Sequence, residues 1–188
     1  MRNLLFLILL LAGCAKLPSP FHANDVSSNF GQVDFHLTDP QGKARTLADF
    51  RGKVVVVFFG YTHCPDVCAT TLVDLAEMQK LLGKDADRVQ VLFITIDPER
   101  DKAELLAQYV PAFNPSFVGL YGDAEATAQA ARTFYIAYQK QPTSSGYNMN
   151  HSTGIYLLDP KGRVRLNAQQ TQHIDWLVED VHLLLSGV

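Results

Sequence analysis

Two cysteines separated by three residues, Cys64-Pro65-Asp66-Val67-Cys68, follow the unbroken apolar run Val54 to Phe59 and precede a helical pattern. A thiol pair in that setting has two kinds of chemistry open to it. A helix N-terminus lowers thiol pKa through its dipole and free N–H groups, which favours the thiolate that attacks disulfides and binds soft metals. Four residues apart on one helical face, the two Cα atoms would lie roughly 6 Å from each other, inside the span of about 4.4–6.8 Å that disulfides bridge. Spacing alone leaves both disulfide exchange and a shared metal open. The structural alternative, two small core residues, fits poorly with a pair placed at a strand-to-helix switch beside Pro, Asp and His.

The elements that must hold this pair can be read in order. Val33-Asp34-Phe35-His36-Leu37 alternates apolar and polar, Asp39-Pro40-Gln41-Gly42 is turn chemistry, and Ala44 to Leu47 follows, so a hairpin opens the domain. Val54 to Phe59 is apolar on both faces and reads as a central buried strand. Leu72, Leu75, Ala76, Met78, Gln79 and Leu82 give helical spacing up to Gly83. Val89 to Ile96 is a second apolar strand. A helix from about Asp101 to Val110, a short strand at Phe117 to Tyr121, an Ala-rich helix from Ala124 to Arg132 and a strand from Tyr135 to Gln139 come next. Ile155 to Leu158, the turn Asp159-Pro160-Lys161-Gly162 and Val164 to Leu166 form a second hairpin, and Ile174 to Leu185 closes the chain as an amphipathic helix. Strands alternating with helices, finished by a hairpin and a helix, imply a mixed sheet with helices on both faces. The expected class is therefore α/β, a thioredoxin-like fold with an added N-terminal β-hairpin. Such a sheet places ligands at the carboxyl ends of its strands, where Cys64 and Cys68 fall.

Composition narrows the partners. The chain has 188 residues, 47% hydrophobic and 19% charged, with a net charge of −3, so no excess of base exists to neutralise phosphates and nucleic acid is not an expected partner. Only three cysteines occur, too few for a disulfide-stapled scaffold. The first has its own explanation. Arg2 followed by the apolar run Leu4 to Leu11 is far shorter than the ~20 residues of a spanning helix and reads as a signal peptide. It ends in Leu11-Ala12-Gly13-Cys14, which resembles the lipobox of bacterial lipoproteins, where the cysteine becomes the lipidated first residue. The organisation expected is a signal peptide over 1–13, a flexible tether over 14–29 that is too polar to pack, and one domain over 30–188. With Cys14 lipidated, Cys64 and Cys68 are the only thiols left in an exported chain.

A third donor is expected from the far end of the sequence. In a thioredoxin-like sheet the loop before the strand that opens the final hairpin faces the dithiol, and His151 lies just before Thr153 to Leu158. Two soft thiolates and one imidazole suit copper, thiolates favouring Cu(I) and imidazole accepting Cu(I) or Cu(II). Gln141 to Asn150 is polar and contains glycine, so it reads as a mobile arm carrying the histidine. His63 reads as an exposed loop histidine beside Cys64. Asp66 reads as a helix-start residue and Asp97 as a strand-end turn residue. His22, His36, His173 and His182 have no ligand pattern around them, and Trp176 with Leu183 to Leu185 is assigned to the packing of the last helix.

The strings Gly60-Tyr61-Thr62-His63-Cys64-Pro65-Asp66-Val67-Cys68, Ile94-Thr95-Ile96-Asp97-Pro98-Glu99-Arg100-Asp101, and His151-Ser152 ahead of Ile155 to Gly162 resemble the Sco/SenC family of copper proteins. The resemblance runs from about Phe30 to the C-terminus. It implies copper bound by Cys64, Cys68 and His151, and service in assembling the copper centre of cytochrome c oxidase. The partners implied are the oxidase copper-binding subunit, another periplasmic copper chaperone or a thiol reductase, and the membrane through the lipid anchor, on the periplasmic face of a bacterial cell envelope. Two positions depart from the family pattern. Ala69 replaces a proline expected after the second cysteine, and Asn150 stands where an acidic residue usually precedes the histidine and could orient its ring. The leading function is a lipid-anchored metallochaperone. The alternative is a thiol-disulfide oxidoreductase using Cys64 to attack and Cys68 to resolve, which does not need His151. A thiol peroxidase ranks last, because Thr62 is near but no arginine is placed by the sequence.

Overall fold

The computed structural model describes residues 19–170 and 172–188. The signal peptide and Cys14 lie outside these residues. A mixed six-stranded sheet has the order β1-β10-β9-β4-β5-β6. Its centre is β4 (Val54–Gly60), every residue of which is buried. Successive side chains of a strand point to opposite faces, so complete burial means that both faces of the sheet are covered. Strand β5 (Val89–Thr95) runs parallel to β4 and β6 (Val118–Leu120) parallel to β5, while on the other side β9 (Ile155–Leu158) pairs antiparallel with β4 and β10 (Val164–Ala168) antiparallel with β9. Helices α1 (Val67–Leu81), α2 (Ala103–Phe113), α3 (Ala124–Thr133) and α4 (Ile174–Ser186) complete the layers, with α1 packed on both α2 and α4. This is the thioredoxin-like arrangement.

The expected opening hairpin is present in shortened form. Val33, Phe35 and Leu37 alternate into the core as their pattern requires, but only β2 (Leu37–Thr38) and β3 (Ala44–Arg45) form a ladder. The upstream part is held by Asp34, whose carboxylate accepts from Phe35 N and Leu47 N.

Three expectations are corrected. The stretch expected as tether is bound to the domain from Phe21 onward. Phe21 and Ala23 are buried, the backbone N–H groups of His22 and Ala23 donate to Asp180 of α4 at 2.8 Å each, and β1 (Asn24–Asp25) adds an edge strand to β10. The strand expected from Tyr135 begins later, because Tyr135 adopts a left-handed backbone (φ 54°) that ends the preceding helix. The chain then forms β7 (Tyr138–Thr143) and turns back as β8 (Gly146–His151), so the polar arm is a paired ribbon outside the main sheet. Trp176 is 45% exposed and stacks on His22 and against His173 rather than entering the core.

Both hairpin turns use one device. Asp39 and Asp159 each begin an Asp-Pro-x-Gly turn, and the glycine sits at positive φ (81° for Gly42, 74° for Gly162) where a side chain is strained. One carboxylate oxygen accepts backbone N–H groups two and four residues on, at 2.9–3.0 Å, and the other accepts from Arg45 or Arg163. Burial pushes both carboxyls up, but these donors and cations outweigh it and hold both pKa values below the ordinary 3.8. A carboxyl depressed in the folded state contributes stability that is complete above its unfolded pKa and is lost as pH falls through the folded value. Stability should therefore fall away below about pH 4. Asp159→Ala is expected to cost about 1–3 kcal/mol at pH 7 and to flatten that acid limb in urea unfolding.

Candidate metal centre

Cys64 and Cys68 flank the start of α1, but not equivalently. Cys64 lies in the loop after β4, half-buried, its N–H donating to Tyr61 O at 3.3 Å. Asp66 occupies the N-cap position without a side-chain capping bond, and Cys68 is the second residue of the helix, fully buried. Neither sulfur is bridged. Gly60 makes room for the inner one. A Cβ at Gly60 would stand 3.1 Å from Cys68 Sγ and 2.8 Å from the Phe93 ring, so only glycine lets the strand end pass so near the sulfur.

The thiol activation expected at a helix start is not what governs Cys68. Burial pushes the Cys68 thiol well above its ordinary value, and the neighbouring Cys64 and Asp101 add to that rise. Desolvation outweighs the one lowering contact, a hydrogen bond from the Tyr61 backbone, because the sulfur is fully buried. Cys68 is therefore held as the protonated thiol at neutral pH.

His151, the last residue of β8, comes next to this sulfur from 83 positions away, with Nε2 4.0 Å from Cys68 Sγ. Its Nδ1 lies 2.7 Å from Ser152 O. A carbonyl only accepts, so Nδ1 carries the hydrogen and Nε2 turns its lone pair toward Cys68. Burial lowers the His151 pKa, which keeps the ring neutral and able to coordinate. The Tyr61 ring meets it edge-on at 6.0 Å. An ion bonded to sulfur at about 2.3 Å and to nitrogen at about 2.0 Å in trigonal geometry separates the two donors by roughly 3.7 Å. The observed distance is within a few tenths of an ångström of that value. Among the described residues no three His, Cys, Asp or Glu side chains stand together as a closed metal site, although Cys64 lies within hydrogen-bonding reach of Cys68.

The two departures are structurally mild. Asn150 is exposed and pairs with Gln139 across the ribbon, while the orientation of the imidazole comes from the Ser152 carbonyl. Ala69 lies in the first turn of α1, where a proline would remove only an N–H with no intrahelical partner.

Residues not singled out from the sequence form the surroundings. Asp101 is fully buried and accepts from Thr62 N (3.0 Å), Thr62 Oγ1 (2.6 Å) and Thr95 Oγ1 (2.6 Å). His63 is exposed, as expected, yet its Nδ1 lies 3.0 Å from Thr62 Oγ1 and so joins the same network. Asp97 is more than a turn residue. It is buried and holds Arg100 and the Tyr147 hydroxyl. The Thr62 hydroxyl donates to Asp101, and Arg100 uses Nε on Asp97 and Nη1 on Tyr147 O while its buried Nη2 has no hydrogen-bond partner among the described residues. The string Asp97 to Asp101 was the available signal, since three carboxylates straight after a buried strand need partners.

Comparison with known proteins decides the family. The chain matches SCO1/SenC over residues 24–186, a span that begins at β1. It belongs to the SCO1/SenC family. The human protein SCO2 homolog, mitochondrial, is 44% identical over 136 residues, which is 70% of this chain and 51% of that protein. The chain thus spans about half the length of the curated relatives it matches. Among solved structures, Bradyrhizobium japonicum ScoI with copper bound is 38% identical with a TM-score of 0.76, covering 83% of this chain and 99% of that one. Apo Sco1 from Thermus thermophilus is 40% identical with a TM-score of 0.79, covering 88% and 97%. The SCO1/SenC fold is therefore shared over nearly all the described residues.

Proposed function

We propose that this protein carries copper as cargo between Cys64, Cys68 and His151 and delivers it to the copper-binding subunit of cytochrome c oxidase. The observation that carries the reading is the Nε2 lone pair of His151, fixed by Ser152 O and directed at Cys68 Sγ. The donor set fits the ion. Two thiolates suit Cu(I), and the neutral imidazole extends the site to Cu(II). A related ScoI with copper bound supports it. Binding needs both thiols reduced and displaces their protons. The half-buried Cys64 is the ligand nearest solvent, and therefore the one an incoming ligand of the receiving protein replaces first. Lipidation of Cys14 would hold the domain on the periplasmic face of the bacterial envelope. Among the described residues no helix is long and apolar enough to cross a membrane.

A second reading rests on the asymmetry of the thiols. An accessible Cys64 thiolate attacks a target disulfide and releases one target thiolate. Cys68 then attacks the mixed disulfide, closing Cys64–Cys68 and releasing the second thiol, so two electrons pass to the target. Titration of the reduced protein, residues 15–188, with copper separates the two. One copper retained per chain against a chelator, with a thiolate-to-Cu(II) absorption band, is the expected result. A protein that holds no copper while its dithiol still cycles is a thiol-disulfide oxidoreductase.

A further inference from the structure

The candidate site is made from two pieces that share no sheet. The cysteines stand between β4 and α1, and His151 ends the separate β7–β8 ribbon. A short Cys68–His151 distance requires something to hold the ribbon against the body, and one five-residue loop, Asp97 to Asp101, touches both pieces. On the cysteine side, Asp101 binds the N–H and hydroxyl of Thr62, two residues before Cys64. On the histidine side, the loop grips Tyr147. The Tyr147 hydroxyl donates to Asp97 Oδ1 at 2.8 Å, Arg100 Nη1 donates to Tyr147 O at 2.9 Å, and the guanidinium lies 3.7 Å from the centre of the Tyr147 ring. Arg100 Nε donates to Asp97 Oδ2 at 2.5 Å, so the two gripping side chains also hold each other. Lys140 of β7 adds an ion pair with Glu99 of the loop.

Tyr147, Met149 and His151 share one face of β8, because alternate residues of a strand point the same way, and their burial alternates with the exposed Asn148 and Asn150. Holding Tyr147 therefore sets which face of the ribbon turns inward, and with it the direction of the His151 ring. We propose that Arg100 and Asp97 are positioning residues for His151, latching β8 through Tyr147 so that Nε2 faces Cys68. The assignment rests on the reading of His151 as a copper ligand. Arg100 meets the Tyr61 ring at 5.8 Å as well, and Tyr61 in turn meets His151, which closes a ring of contacts around the imidazole.

The test uses Arg100→Gln and the milder Tyr147→Phe, which loses one hydroxyl and keeps the ring. In the metal-free protein, amide hydrogen exchange across Tyr138 to His151 should accelerate in both variants while the amides of β4 and β5 keep their protection. In the copper-loaded protein, dissociation should accelerate by about 10–100-fold for Arg100→Gln, with weakened imidazole nitrogen hyperfine coupling in the Cu(II) spectrum. Combined with His151→Ala, Arg100→Gln should add nothing further to copper loss. Wild-type exchange in the ribbon of Tyr147→Phe would overturn the latch, and so would an undiminished effect of Arg100→Gln on copper in the His151→Ala background. Copper held equally well by His151→Ala alone would instead remove the ligand role on which the assignment depends, and the exchange data on metal-free protein keep these failures apart.

Discussion

His151→Ala should release Cu(II) with an affinity loss of at least about 100-fold, beyond what removal of a residue supporting a ligand costs. In the proposed site the neutral ring is one of three donors, and its hydrogen bond to Ser152 O points Nε2 at Cys68. Two thiolates remain in the variant. They are sufficient to hold Cu(I) but leave Cu(II) without its nitrogen donor, so the loss should be smaller for Cu(I). Competition with chelators in each oxidation state measures both numbers, and the nitrogen hyperfine lines should vanish from the Cu(II) spectrum. Thiol-disulfide exchange, which uses only the sulfurs, should proceed at nearly the wild-type rate. An unchanged Cu(II) affinity would take His151 out of the site.

The largest stability effect is expected at Asp101. Three donors converge on its buried carboxyl, and Asp101→Ala leaves Thr62 N, Thr62 Oγ1 and Thr95 Oγ1 without that acceptor. Each buried polar group stranded in this way costs about 1–3 kcal/mol, and some recover partners or water. The expected destabilisation is about 2–5 kcal/mol. It should appear as a lower urea midpoint with an unchanged slope, because the surface newly exposed on unfolding is the same as in the wild type. Asp101→Asn keeps one acceptor oxygen and should lose less than half as much. A change below about 0.5 kcal/mol for the alanine variant would show that water replaces the carboxylate and that the loop before Cys64 is held by other contacts.

The parts of the fold that were legible are those set by neighbours in the chain. Val54 to Phe59 and Val89 to Ile96 read as buried strands because every position is apolar, and the two Asp-Pro-x-Gly turns carry their own hydrogen-bond acceptor and their own glycine. The cysteine pair was legible for the same reason. His151 required the topology as well as the residue. The ribbon beneath it was not legible, since Tyr138 to His151 has little apolar alternation and is secured by Arg100, 47 positions from Tyr147. Likewise Phe21 to Asp25 has the composition of a linker, and only a carboxylate 157 positions later gives its backbone N–H groups a place to bind. The buried Cys68 thiol shows a different limit. The helix terminus is visible in sequence, but the enclosure that overrides it is a property of the assembled core.

The capture of His22 and Ala23 by Asp180 joins the start of the domain to the last helix. Strand β4 likewise waits for β9, about a hundred residues downstream, before its second edge is paired. Such long-range closure makes folding late and all-or-none, because loop entropy is lost before distant contacts repay it. A chain threaded through a membrane with its N-terminus leading would lack the first of these contacts until α4 had followed and the second until β9 had. Both cysteines would then meet the enzymes and oxidants of the far side while still in an open chain, and the order of events during biogenesis would be oxidation state first, burial of Cys68 second, copper last.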